Sequence, residues 1–153
     1  MPIYLVRHAQ AGERTTAEDD HLRELSEPGR FQAVRIAERF ATVPVSRVLS
    51  SPYPRCVQTV EPLATSHGLT VETSEVLAED QPFTRLVELL VEVDDHTVLC
   101  SHGDVIPETI AALCRRGMDI VGTEDWRKGS VWILHRARDG FVSGSAEPPP
   151  PQR

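Results

Sequence analysis

The 153-residue chain is poor in lysine, cysteine and aromatic residues, and its composition excludes several classes of partner and scaffold. Lys128 is the single lysine among sixteen basic residues, so almost all positive charge is carried by arginine. Against them stand 23 acidic residues, which leave a formal charge of −7. A chain this acidic has no general attraction for nucleic acid or for an anionic membrane, so we expect neither as a partner. A local basic pocket remains compatible with this charge.

The cysteines are few: Cys56, Cys100 and Cys114 are odd in number and share no C-x-x-C spacing. They predict reduced thiols rather than a disulfide framework. No apolar run approaches the length of a membrane span. Because strand-like residues begin almost at the first residue, we expect no signal peptide. We therefore expect a soluble, cytoplasmic protein, whose oligomeric state the sequence does not set.

Strand-like and helix-like segments alternate along the chain. Strands are predicted at 3–6, 45–49, 70–73, 97–100, 130–135 and 140–142, and helices at 27–40, 54–66, 83–91 and 107–116. This order predicts an α/β fold, a three-layer sandwich with a mostly parallel central sheet flanked by helices. We expect one domain, residues 1–146, followed by a disordered proline-rich tail, residues 147–153.

Polar residues directly follow three of the predicted strands. They are Arg7-His8 after the first strand, Ser50-Ser51 after the second, with Arg55 opening the next helix, and Ser101-His102 after the strand at 97–100. Because the carboxyl ends of parallel strands meet at one edge of a sheet, we expect two histidines and two arginines to converge there. Arginine side chains and a helix N-terminus both favour negative charge, so the pattern predicts an anion-binding active site.

Other chemistries fit the sequence less well. Neither Cys56 nor Cys100 is followed six positions later by arginine, Ser101 lacks a G-x-S-x-G elbow, and no nucleotide-binding glycine loop is present. His96, Cys100 and His102 match no usual zinc spacing, so we expect no metal and no cofactor. A histidine nucleophile toward phosphorus remains, and covalent catalysis by histidine is chemically sound.

Four segments carry a family resemblance. They are Leu5-Val6-Arg7-His8-Ala9, Leu25-Ser26-Glu27-Pro28-Gly29-Arg30-Phe31-Gln32-Ala33, Ser50-Ser51-Pro52-Tyr53-Pro54-Arg55-Cys56-Val57-Gln58-Thr59 and Ser101-His102-Gly103. Together, in this order, they resemble the histidine phosphatase superfamily, the phosphoglycerate-mutase-like branch 1. The form Arg-His-Ala-x-Ala-Gly is similar to that of small bacterial phosphohistidine phosphatases and of the phosphatase half of actinobacterial two-domain Nudix proteins.

The resemblance implies a phosphoric monoester hydrolase in which His8 is transiently phosphorylated. It implies Arg7, Arg55 and His102 as ligands of the phosphoryl group, without a metal. His8 must be neutral to attack, whereas His102 is expected to work protonated, as a donor. Arg14 stands where many relatives approach the phosphate with an asparagine, and it is either a further phosphate ligand or a loop arginine.

A proton donor for the leaving group is also implied. Leu77-Ala78-Glu79 matches the Leu-x-Glu pattern that precedes the general acid in many relatives, which makes Glu79 the candidate. Asp80 is the neighbouring alternative, and a solvated loop carboxylate is the non-catalytic interpretation of Glu79. Asp104 is expected to cap the helix that follows His102.

The leading hypothesis is a metal-independent phosphatase acting on a phosphohistidine protein or on a small phosphorylated metabolite. A nucleotide or sugar phosphatase is the alternative within enzymes. A non-catalytic phosphate- or phosphoprotein-binding module is the alternative of another class. The insertions that form a lid in larger relatives are missing, so we expect an open, shallow site and no mutase activity.

Overall fold

The computed structural model describes residues 1–13 and 17–152. Seven strands and four α-helices lie in these ranges: β1 (Pro2–Arg7), α1 (Glu27–Arg39), β2 (Arg47–Ser50), α2 (Pro54–Ser66), β3 (Val71–Thr73), α3 (Phe83–Glu92), β4 (Thr97–Ser101), α4 (Ile106–Arg115), β5 (Asp119–Ile120), β6 (Val131–Ala137) and β7 (Gly140–Glu147). Short 3-10 helices cover Ala17–Leu22 and Glu75–Leu77. The expected alternation of strands and helices is confirmed.

All seven strands form one sheet in the order β3-β2-β4-β1-β6-β7-β5. The first four strands of this order are mutually parallel, whereas β6 is antiparallel to β1 and β7 is antiparallel to β6. The predicted α/β class with a mostly parallel sheet is therefore confirmed. Strand β1 lies near the middle, hydrogen-bonded to β4 on one side and to β6 on the other.

The sheet is covered on both faces, as the alternation of side chains in β1 shows. Ile3 and Leu5 are buried in a core that includes Leu86 and Leu90 of α3 and residues of α4. The intervening residues of β1 belong to a second core, built with residues of α1 and α2. Since successive strand residues point to opposite faces, two helical layers enclose the sheet, and the sandwich has three layers.

Helix α1 begins as its sequence predicts. The Ser26 side chain accepts a hydrogen bond from the Gly29 N–H at 3.1 Å, and Pro28 occupies the first turn, where no amide donor is needed. A Cβ on Gly29 would collide with the carbonyl of Gln10. The glycine therefore lets the start of α1 pack directly against the loop that follows β1.

Helix α2 has the predicted bounds, and α3 and α4 each differ from prediction by one residue at their ends. The larger differences lie in segments with weak local signals. Strand β7 continues to Glu147 because its pairing with β6 runs as far as Val131 opposite Glu147, although Ser143, Gly144 and Ser145 have little strand propensity. The short β5 and the two 3-10 helices were not expected.

The segment after β7 was expected to be a disordered tail, but the structure places residues 148–152 beside α1. Arg39 donates a hydrogen bond to the Pro148 carbonyl at 2.8 Å, and Gln32 donates one to the Pro150 carbonyl at 3.0 Å. Prolines have no N–H to satisfy, and these two side-chain donors bind two of the segment's carbonyls. Residue 147 itself belongs to β7, one residue beyond the expected boundary.

All three cysteine thiols are free, as the sequence predicts, and Cys56 and Cys100 are buried. Cys114 is half-buried on α4. Within the described ranges, no helix combines the length and the apolar composition that crossing a membrane requires.

Candidate active site

The carboxyl ends of β1, β2 and β4 meet because the three strands are parallel neighbours. Their register sets Arg7 opposite Ser101 and Ser50 opposite Cys100, so the residues that follow each strand emerge together. The rings of His8 and His102 lie with their centroids 5.5 Å apart. The structure thus brings together the histidines that the sequence analysis selected.

His8 is held in one tautomer by its neighbour. Its Nδ1 lies 2.8 Å from the Ala9 carbonyl oxygen, which can only accept, so Nδ1 carries the proton and Nε2 keeps its lone pair. The Ala9 N–H in turn donates to the Thr59 hydroxyl at 2.9 Å, and that hydroxyl donates to the Arg55 carbonyl at 2.6 Å. These bonds tie the backbone beside His8 to the first turn of α2.

His102 is enclosed by residues of the loop and helix that follow β2. Its Nε2 lies 2.8 Å from the Ser51 hydroxyl and 3.5 Å from the Cys56 sulfur, and the Tyr53 ring meets it edge-on at 4.8 Å. The sequence pattern places Ser50-Ser51 at a strand end but does not predict the contact of Ser51 with His102. The contacts of Cys56 and Tyr53 with His102 are likewise not predictable from that pattern.

Both imidazoles are less basic than usual. Burial lowers the pKa of His8 to about 3, with the charges of Arg55, Arg7 and Lys128 acting in the same direction and the bond to Ala9 opposing them. Burial likewise lowers the pKa of His102 to about 2, and the neighbouring cationic groups add to this effect. The structure agrees with a neutral His8. Desolvation and nearby positive charge disfavour the imidazolium of His102 as well, so the protonated donor expected during the reaction depends on an anion beside the ring.

Arg55 is completely buried at the start of α2. Its guanidinium donates to the Asp20 carbonyl at 2.8 Å and to a Glu79 carboxylate oxygen at 2.9 Å, and it lies over the Tyr53 ring at 5.0 Å. Its Nε is buried and has no hydrogen-bond partner among the described residues. One donor of this fixed cation is therefore not used by the described residues.

Arg7 is positioned by a hydrogen bond to the loop that precedes β6 and by the lack of a side chain at Gly103. Its Nη1 donates to the Trp126 carbonyl at 2.6 Å, while its buried Nε also has no partner in the described part of the chain. A Cβ on Gly103 would lie 2.5 Å from the Arg7 Cζ atom. Glycine at position 103 thus leaves the space that the guanidinium occupies.

The candidate proton donors differ in placement. Glu79 contacts Arg55 directly, and its side chain is 29% exposed. Asp80 has a left-handed backbone, with φ of 62°, and its N–H donates to the Asp104 carboxylate at 2.9 Å. Asp104 therefore anchors the loop that carries Glu79. The expectation that it caps α4 is wrong, because the helix starts one residue later than that role requires and Val105 occupies the cap.

The site is more enclosed than expected. His8 is 4% exposed, while Arg55 and His102 are buried completely. The 3-10 helix Ala17–Leu22 lies against Arg55 through Asp20, and the loop with Glu79 closes beside it. The expectation of an open, shallow site is therefore wrong. Asp20 comes from a polar stretch without periodicity, so no sequence signal pointed to it, and Arg14 lies outside the described residues.

A metal site is not indicated by the described residues. No group of three or more histidine, cysteine, aspartate or glutamate side chains among them is arranged to hold an ion. The charged groups that do converge are the two arginines, with Glu79 and Asp20 against Arg55. Such a pair of guanidinium groups beside two neutral imidazoles suits the binding of a phosphoryl group.

Comparison with known proteins gives a family match that covers the first half of the chain. The model of the histidine phosphatase superfamily (branch 1) matches residues 3–81. An 8-oxo-(d)GTP phosphatase of Mycolicibacterium smegmatis is 31% identical over 160 aligned residues, which cover 99% of this chain and 49% of the relative. The chain therefore spans about half the length of this curated relative.

Solved structures share the fold across nearly the whole chain. The protein histidine phosphatase SixA, solved with tungstate, has a TM-score of 0.75 at 20% identity and covers 96% of this chain and 94% of its own. A mycobacterial glucosyl-3-phosphoglycerate phosphatase, solved with VO3, has a TM-score of 0.71 at 20% identity and covers 95% and 97%. These similarities confirm the expected three-layer architecture.

Replacing Gly103 by alanine should weaken anion binding with little effect on folding. The added Cβ would occupy the position of the Arg7 guanidinium, which must then move away from the site. We expect the affinity for orthophosphate, measured by calorimetry, to fall about tenfold or more, since a charge-assisted contact contributes about 1.5–3 kcal/mol. Gly12→Ala is the control, because its nearest neighbour to an added Cβ is an oxygen at 3.6 Å. Equal affinities of the two variants would contradict this account of Gly103.

Stability should fall in mild acid because of the two buried histidines. In the unfolded chain, His8 and His102 take up protons below about pH 6.5. In the folded chain their lowered pKa values delay this uptake until below about pH 3. By pH 5 each histidine should cost about 2 kcal/mol of unfolding free energy. Urea unfolding at pH 7 and pH 5 measures this loss. His8→Gln should reduce it, whereas His135→Gln, which removes an exposed imidazole, serves as the control. A wild-type free energy that is the same at both pH values would refute the assignment.

Proposed function

Since the chain belongs to the histidine phosphatase superfamily (branch 1), we propose that it is a metal-independent phosphatase that acts through a phosphohistidine at His8. Its substrate is a phosphohistidine protein or a small phosphorylated metabolite. The observation that carries the proposal is the tautomer of His8. The bond from Nδ1–H to the Ala9 carbonyl leaves the Nε2 lone pair available beside Arg7, Arg55 and His102.

In the first step, Nε2 of His8 attacks the phosphorus atom and the bond from phosphorus to the leaving oxygen or nitrogen breaks. Negative charge on the equatorial oxygens is stabilised by the guanidinium groups of Arg7 and Arg55. The buried Nε atoms of both arginines, which lack partners among the described residues, support this role. Such fixed donors need little reorganisation as the charge develops.

His102 takes part as a group whose charge responds to the substrate. A phosphoryl dianion near its ring would favour the imidazolium and raise the pKa of His102 from its low value. The proton can come from the monoanionic form of the substrate. Once protonated, the ring would act as a donor to the phosphoryl oxygens. Arg14 remains a candidate for a further ligand of the same oxygens.

Glu79 is the proposed general acid, with Asp80 as the alternative. The carboxyl group of Glu79 would protonate the leaving atom, and the resulting carboxylate would then take a proton from the water that attacks the phosphohistidine. Cleavage of the N–P bond by this water returns His8 and releases orthophosphate. The contact of Glu79 with Arg55 supports this role, because Arg55 is a proposed ligand of the phosphoryl group. A phosphohistidine substrate depends less on this acid, because its leaving nitrogen is easily protonated.

A nucleotide phosphatase is the second candidate function. The observation that favours it is the Mycolicibacterium smegmatis relative, an 8-oxo-(d)GTP phosphatase that is 31% identical to this chain. A sugar phosphatase uses the same site chemistry. A non-catalytic binding module would bind phosphate or vanadate in this pocket without turnover, and the intact nucleophile and arginine pair favour catalysis over that alternative.

The His8→Ala variant tests the nucleophile. We expect its rate of 4-nitrophenyl phosphate hydrolysis to fall on the order of 1,000-fold or more, because no other group replaces the covalent step. Brief incubation with labelled substrate followed by gel analysis should trap an acid-labile phosphoenzyme in the wild type and none in the variant. His135→Ala, at an exposed position, is the control. Wild-type turnover by His8→Ala would exclude the proposed mechanism.

The Glu79→Gln variant tests the proton donor against Asp80→Asn. Removing a general acid should lower kcat by about 100-fold to 10,000-fold for a poor leaving group such as an alkyl alcohol. The loss should be much smaller for 4-nitrophenol, which leaves without protonation. We expect this dependence on the leaving group for Glu79→Gln and a near wild-type profile for Asp80→Asn. The reverse pattern would assign the role to Asp80.

A further inference from the structure

A cavity of about 580 Å³ lies beside the candidate site and shares Arg7 with it. The loop after His8 forms one wall, the residues before β6 form another, and the proline-rich segment 149–152 forms the third. This volume is within the range of pockets that hold small-molecule ligands and exceeds what one phosphoryl group fills. The cavity therefore has room for the part of a substrate that follows the transferred group.

The cavity is cationic although the chain is acidic. Arg7, Arg127 and Lys128 line it, and none of the described residues lining it is acidic. Arg127 is exposed, and its guanidinium is held by Asp125 through contacts of 2.6 and 3.0 Å, so it contributes less than a full charge. The ammonium group of Lys128 is near enough to His8 for its charge to lower the pKa of that imidazole. Arg7 is thus the cation that the cavity shares with the candidate site.

The walls of the cavity are fixed by hydrogen bonds. Buried Gln32 accepts from the Gln10 N–H at 3.0 Å and donates to the Pro150 carbonyl at 3.0 Å, so it joins two of the walls. The Gly129 N–H donates to the carbonyls of Arg7 and His8 at 3.2 and 3.0 Å. The residues next to Lys128 are thereby tied to the end of β1. The surface that a second anionic group of a substrate would contact is therefore already formed.

We propose that this cavity is a second anion subsite, which selects substrates whose leaving group is itself a phosphate or a phosphate ester. This inference rests on the proposed function and narrows its substrate to condensed phosphates, in which the transferred phosphoryl group is joined through oxygen to another phosphorus. The terminal phosphoryl group lies at His8, and the next one lies toward Arg7 and Lys128. Arginine and lysine are the residues that proteins use to bind phosphate oxygens.

Two substrates with matched reacting groups test the subsite. Tripolyphosphate carries further phosphoryl groups beyond the bond that breaks, whereas 4-nitrophenyl phosphate carries none. The ratio of kcat/KM for the first to kcat/KM for the second isolates the contribution of the cavity. We expect Lys128→Gln to lower this ratio about tenfold, as expected for loss of one charge-assisted contact. Lys128→Arg, which keeps the charge, should retain most of the wild-type ratio.

Arg138→Gln is the matched control for the loss of one positive charge. Arg138 follows β6 at the edge of the sheet opposite to the site, since β6 runs antiparallel to β1. Its variant should keep the wild-type ratio. Normal hydrolysis of 4-nitrophenyl phosphate with an unchanged ratio in Lys128→Gln would overturn the subsite and leave the phosphatase proposal intact.

A binding measurement tests the subsite independently of catalysis. If the wild type hydrolyses neither substrate, the proposed function fails, and calorimetry with pyrophosphate and orthophosphate then decides on the cavity. A second anion subsite requires that pyrophosphate binds more tightly than orthophosphate and that Lys128→Gln removes most of this difference. Equal binding of the two anions by the wild type would overturn the proposal.

Discussion

The parallel register of β2, β4 and β1 is the constraint on which the site depends. It sets Arg7 opposite Ser101 and Ser50 opposite Cys100, so that each strand delivers its next residues to the same edge. A shift of one residue in any of these pairings would turn the side chains of that strand to the opposite face of the sheet. The two separate cores above and below the sheet resist such a shift, because each accepts only alternate residues of β1.

Much of this arrangement is predictable where local sequence and tertiary packing agree. Ser26 and Pro28 mark the start of α1, Pro54 marks the start of α2, and short apolar runs mark the central strands. Contacts between segments distant in sequence are not predictable in this way. The carboxylate of Asp104 reaches the Asp80 amide, and Gln32 binds a proline carbonyl, because of how loops fold back. No periodicity or spacing in the chain encodes those meetings.

The enclosure of the site follows from the same kind of contact. The 3-10 helix, through Asp20, and the loop that carries Glu79 cover Arg55, while Ser51, Cys56 and Tyr53 lie against His102. This enclosure removes water, and the desolvation is the main reason why both imidazoles are weak bases. Positive charge from arginine then acts at short range in a medium that screens it poorly. The acidity of the chain as a whole therefore says little about the potential within this pocket.

The central position of β1 also affects when the site forms during folding. Leu5 pairs with Leu99 on one side and with Trp132 on the other, so the strand that bears His8 acquires its neighbours only from distant parts of the chain. Closing such long loops is entropically costly, and topologies of this kind fold more slowly than those with local contacts. During synthesis a chain emerges from its N-terminus, so β1 is made before β6 and lacks that neighbour until β6 has followed. Until then His8 has no enclosed site, and the ability to bind an anion arises only as the sheet is completed.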